Sequence, residues 1–109
     1  KEKVFDVACS DGLIVDQETH RCPENKAWVD LSDCSISADS GDKEMKVLWQ
    51  DPEFKGNQDA FYYARIIENP VCRWSTWDSI RAGEKPRSDI PVTIQERAWS
   101  SPIWLKKIN

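Results

Sequence analysis

The residues with the means to do chemistry are four cysteines, a single histidine, and arginines and tyrosines set in apolar stretches. Cys9, Cys22, Cys34 and Cys72 contain no C-x-x-C pair, so neither a zinc ribbon nor a thioredoxin-type redox pair is suggested. An even count in a small tryptophan-rich chain suits two disulfides in an oxidising compartment. Free buried thiols, or a metal site using His20 and Cys22, are the weaker alternatives. Three pairings are open. Cys9–Cys22 with Cys34–Cys72 is preferred, because the first bridge closes the polar loop between its ends.

Tyr62, Tyr63, Arg65, Glu96 and Arg97 fall on the two most apolar stretches. They suit a contact with another domain, or an arginine fork presented to an anionic substrate. A structural ion pair between Glu96 and an arginine on a neighbouring strand is the simpler expectation and is favoured. Arg73 and Trp74, with Trp77, suit a cation–π stack or, more simply, a packed helix start. Trp28, Trp49, Trp99 and Trp104 could stack on sugars, although their scatter fits core and edge packing better. Asp39, Asp42, Asp51 and Glu53 lack EF-hand spacing and read as turn chemistry. Ser75, Ser100 and Ser101 have no G-x-S-x-G context. No nucleophile, base and acid assemble, so no catalytic and no metal-ligating residue is assigned.

The elements that must position these residues are mostly strands. Lys3 to Cys9 alternates, and Ser10-Asp11-Gly12 breaks it. Residues 11–27 form a long polar loop. Trp28 to Ile36 reads as a second strand, Asp39-Ser40-Gly41-Asp42 as a turn, and Glu44 to Trp49 as a third strand. Ala60 to Ile67 is apolar on both faces and is expected at the centre of a sheet, paired antiparallel with part of Val92 to Leu105. Pro102 implies an edge or bulge there. One short helix is expected around residues 76–82, capped by Ser75 and ended by Gly83. The expected fold is mainly β: an antiparallel β-sandwich-like domain, incomplete at its N-terminus, where Lys1 to Phe5 reads as a strand entered midway.

A length of 109 residues predicts one domain. Hydrophobic residues make up 39%, which suits a folded chain, and six tryptophans are expected to supply much of its core. The net charge is −4 and the basic residues are scattered, which argues against nucleic acid as a partner. No apolar run approaches the roughly 18 residues of a membrane span.

Four segments then occur in order: Asp51-Pro52-Glu53-Phe54, Ala60 to Arg65, Arg73 to Asp78, and Ile94 to Trp104. Together with Lys3 to Gly12 they closely resemble the C-terminal end of bacterial proteins grouped as domain of unknown function family 3604. Residues 13–47 are variable territory, and their cysteines are not a general family feature. The resemblance implies a secreted or periplasmic parent with an N-terminal domain similar to the polymerase-and-histidinol-phosphatase (PHP) metal-dependent hydrolases. It implies a divalent metal in that parent, held by residues upstream, with no ligand carried onto this chain. Residues 1–109 are then a single C-terminal accessory domain, non-catalytic, whose partner is the catalytic domain of the same polypeptide. A glycan-binding module using exposed tryptophans is the alternative.

Overall fold

A computed structural model describes residues 1–108. Its strands are short and pair antiparallel in twos: β1 (Val29–Asp30) with β2 (Ser35–Ile36), β3 (Ala60–Tyr62) with β8 (Ile103–Leu105), β4 (Arg65–Ile67) with β7 (Arg97–Trp99), and β5 (Val71–Cys72) with β6 (Thr93–Ile94). One helix, α1 (Trp74–Ala82), lies between β5 and β6. The chain is thus mainly β and antiparallel with one short helix, as expected, with most of its pairing in the apolar runs of residues 60–72 and 93–105.

The last three pairs are parts of one long ribbon. Tyr62 faces Ile103 and Arg65 faces Trp99, so Tyr63-Ala64 opposes Ser100-Ser101-Pro102 with one residue in excess. Pro102 has no N–H to continue the ladder. The Ser100 hydroxyl accepts from the Ala64 N–H at 2.8 Å, and the Ser100 N–H donates to the Ala64 carbonyl at 2.9 Å. A second irregularity, at Pro70, lies on the other strand: Glu68-Asn69-Pro70 opposes Gln95-Glu96 and restores the register. There the Glu68 N–H donates to the Glu96 carbonyl at 2.9 Å. The ribbon therefore runs without a crossover from Ala60 to Arg73 and back from Val92 to Leu105.

At the ribbon's end α1 starts at Trp74, earlier than residue 76. Arg73 is its N-cap and offers no side-chain hydrogen bond, so the expected cap at Ser75 is not used. Thr76, only 1% exposed, anchors the helix instead: its hydroxyl donates to the Val92 carbonyl at 2.8 Å. Gly83 ends the helix in the left-handed region at φ 67°. Its N–H and that of Glu84 close onto the Ile80 and Ser79 carbonyls, a Schellman ending.

Four expected strands are corrected. Trp28 to Ile36 is a hairpin, because Asp30 turns the chain by accepting from the Ser32 N–H and hydroxyl, and its carbonyl takes the Cys34 N–H at 2.7 Å. Lys3–Cys9 and Glu44–Trp49 alternate but have no ladder among the described residues, and alternation without a partner strand leaves only extended chain. Ala60–Ile67 is not central: it is split in two, each half has one neighbour, and β4 is exposed throughout.

Two disulfides, Cys9–Cys22 and Cys34–Cys72, join these parts. The second ties the β1–β2 hairpin to β5 and is buried. Among the described residues only Cys34, Ser37, Cys72 and Thr76 are buried, so the tryptophans do not close the expected core. The molecule measures 65 × 27 × 23 Å, with a radius of gyration of 18.5 Å, where a compact chain of this length has about 13 Å.

Candidate functional site: an open aromatic and cationic ribbon face

Side chains alternate across a strand, so the ribbon has two faces with different fates. Tyr62 points to the one that is covered in part. Trp49 meets its ring edge-on at 6.4 Å, Phe5 lies 5.3 Å from Trp49, and His20 lies 5.1 Å from Phe5. The Tyr62 hydroxyl donates to Asp51 Oδ2 at 2.7 Å, and that carboxylate raises the phenol's pKa above the usual range.

The opposite face is open. Phe61 is 51% exposed and Trp104 is 68% exposed, and their rings meet 5.0 Å apart across the ribbon. Tyr63 stacks on Phe61 at 6.3 Å, which confirms that positions two apart share this face. Its hydroxyl donates to Glu2 Oε1 at 3.0 Å, which raises its pKa likewise. Past the bulge, Arg65 faces Trp99, which is 60% exposed, and Ile67 faces Arg97. Two arginines thus alternate diagonally with a tryptophan and an isoleucine, a spacing of roughly 7–8 Å between diagonal neighbours.

Of the six residues singled out for contact, the ribbon brings Tyr63, Arg65 and Arg97 to this stretch. Glu96 lies in the second irregularity, joined to Glu68 by its backbone carbonyl. The expected ion pair does not form: among the described residues Glu96, Arg65, Arg73 and Arg97 each lack a salt-bridge partner. Arg73 and Trp74 sit apart, at the helix start. Trp74 is largely exposed, and Arg73 Nε is shielded without a hydrogen-bond acceptor. The cation over Trp77 is Arg81, at 5.5 Å, because a helix brings residues four apart onto one side. Phe61 and Ile67 were missed as surface residues. Their signal is the two-residue spacing through Tyr63 and Arg65, which on sequence alone is indistinguishable from the pattern of a buried strand.

A polar knot holds the loops behind this site. Asp11 accepts from the Gly41 N–H at 2.9 Å and from the Ser10 hydroxyl at 2.7 Å, and these bonds lower its pKa. Asn25 reaches Ser10 and Asn69, and Asn69 reaches the Ser40 carbonyl. Each contact is of the kind that orders a loop. Among the described residues the one histidine packs on Phe5, all four cysteines are bridged, and no three His, Cys, Asp or Glu side chains converge.

The family model described as a protein of unknown function (DUF3604) matches residues 1–107. The chain belongs to this family. No curated protein and no solved structure shows significant similarity to it. Membership extends through the cysteine-bearing segment of residues 13–47, which shares the match with the ribbon. The two disulfides are compatible with an extracellular or periplasmic location. No helix among the described residues is long and apolar enough to cross a membrane.

Proposed function

We propose that this chain is a non-catalytic module of an exported family member whose other part resembles a metal-dependent hydrolase or phosphoesterase, and that it braces or completes that catalytic domain. One observation carries the proposal. The chain exposes 9444 Å², whereas a folded monomer of its 12.6 kDa mass exposes about 6,200 Å². The excess, about 3,200 Å² on this side alone, is well above the roughly 800 Å² per partner of a standard interface and belongs with obligate contacts. A two-stranded ribbon with an apolar face is marginal in water unless it packs on something. Docked on a second layer, the ribbon would supply one side of the sandwich that the sequence suggests.

Deleting residues 1–108 from the complete polypeptide tests this. The remainder is expected to lose stability or solubility, and the isolated chain to hydrolyse no phosphoester. Full stability of the remainder without the segment would overturn the bracing role. Hydrolysis by the isolated chain, lost on substituting its own residues, would overturn its non-catalytic character. The exposed indoles of Trp99 and Trp104 support glycan binding as a second reading. Calorimetric titration with oligosaccharides separates the two, since only the glycan reading requires heat that vanishes in Trp99→Ala.

A further inference from the structure

We infer that the open ribbon face bearing Phe61, Tyr63, Arg65, Arg97, Trp99 and Trp104 is the surface that docks, and that the protein surface it meets is apolar at its centre and places carboxylates against Arg65 and Arg97. The inference rests on the bracing role above and deepens it by naming the contact and its chemistry. The first ground is composition. Tryptophan, tyrosine and arginine are the residues that dominate binding energy at interfaces, and here they occupy adjacent positions on one strand pair.

The second ground is charge. Arg65 and Arg97 are exposed, diagonal to one another and without a carboxylate partner. This chain is acidic overall, at −4, and elsewhere supplies carboxylates to Lys3, Arg21, Arg81 and Arg87. Two like charges left unpaired beside Trp99 and Ile67 favour a partner that brings the opposite sign. Burial by an apolar surface alone would strand both guanidinium groups without acceptors. The third ground is asymmetry: on the reverse face Trp49, backed by Phe5, packs on Tyr62, although Ile66 and Ile103 stay exposed there, whereas among the described rings those of Phe61 and Trp104 meet only each other and Tyr63.

Phenylglyoxal modification of the complete polypeptide, read by peptide mass, tests the inference on the unaltered protein. Arg65 and Arg97 are expected to react several-fold more slowly than Arg21 and Arg87, which are exposed and paired only within this chain. Replacing both with glutamine should raise hydroxyl-radical oxidation of Trp99, and replacing both with lysine should raise it less. If Arg65 and Arg97 react as fast as the two references while other residues of 1–108 are protected, the face is wrong and the bracing role stands. If nothing in 1–108 is protected, both fail. Protection that rises with concentration as the mass doubles assigns the face to a second copy and overturns the inference. So does protection that appears only on adding phosphate or an acidic oligosaccharide.

Discussion

At the residue scale, the covalent and polar ties carry the order that a core would otherwise supply. The bridges close loops of different length, with sequence separations of 38 for Cys34–Cys72 and 13 for Cys9–Cys22. On loop entropy the longer contributes about 4 kcal/mol and the shorter about 3. Replacing Cys34 and Cys72 with alanine should therefore lower the urea midpoint more than replacing Cys9 and Cys22. Equal losses would point to native-state contacts as the larger effect. Asp11, Asp16, Asp30 and Asp89 contribute to the acid limb of stability. Ser10, the Thr19 N–H, Ser32 and Arg87, respectively, are the largest causes holding these carboxyls below the ordinary 3.8. Their contribution is present above that pH and is lost as pH falls through the lowered values. Tyr62 and Tyr63 act oppositely. Their pKa values are raised above 10.0, so their contribution holds below pH 10.0 and is lost as pH rises through the raised values. A urea midpoint followed against pH should fall on both limbs, and Tyr62→Phe should flatten the alkaline one. The cysteine pairing was legible because a polar loop between Cys9 and Cys22 has little else to close it. The Asp11–Gly41 tie was not, because nothing local in either loop names a partner 30 residues away.

At the element scale, pairing was legible and burial was not. The apolar runs Ala60–Ile67 and Val92–Leu105 do pair antiparallel, and Pro102 does mark a bulge. Apolar residues on both faces, however, report only that both faces favour cover, and under the proposed docking that cover comes from outside these residues. Ile66, placed by its pattern in a sheet interior, is exposed here. Ile66→Ala should accordingly cost the isolated chain less than about 1 kcal/mol in a denaturation series, well below the 2–5 of a filled core. Ser100→Ala should cost about 1 kcal/mol, because the hydroxyl bridging Ala64 across the bulge is the ladder's substitute there. Helix α1 was legible at its end, where Gly83 adopts φ 67°, and less so at its start. Thr76 anchors it through Val92, a tertiary contact that no capping pattern announces. At Gly41, φ is 90° and a Cβ would fall 2.5 Å from Asn69 Nδ2, so Gly41→Ala should disturb the knot that joins the loops to the ribbon.

At the scale of the whole molecule, the chain has the composition of a folded domain and a more open surface than a compact one. Six tryptophans and 39% hydrophobic residues would fill a core in a compact chain. Here Trp28, Trp74, Trp99 and Trp104 stand more than half exposed on a body 65 Å long. Composition reports how much apolar area a chain must bury, and says nothing of whose surface buries it. This is why class, pairing and disulfides could be read from the residues while centrality and core could not. The site follows the same logic: Tyr63, Arg65 and Arg97 were recognisable as residue types suited to contact, but their joint face with Phe61, Trp99 and Trp104 needed the register. The most direct test is the area that residues 1–108 bury against the rest of the polypeptide in a structure of the complete protein. More than about 2,000 Å² in total, with Trp99 and Trp104 inside the contact, is the predicted result. Less than about 1,000 Å², or a contact that leaves both indoles in solvent, would contradict it.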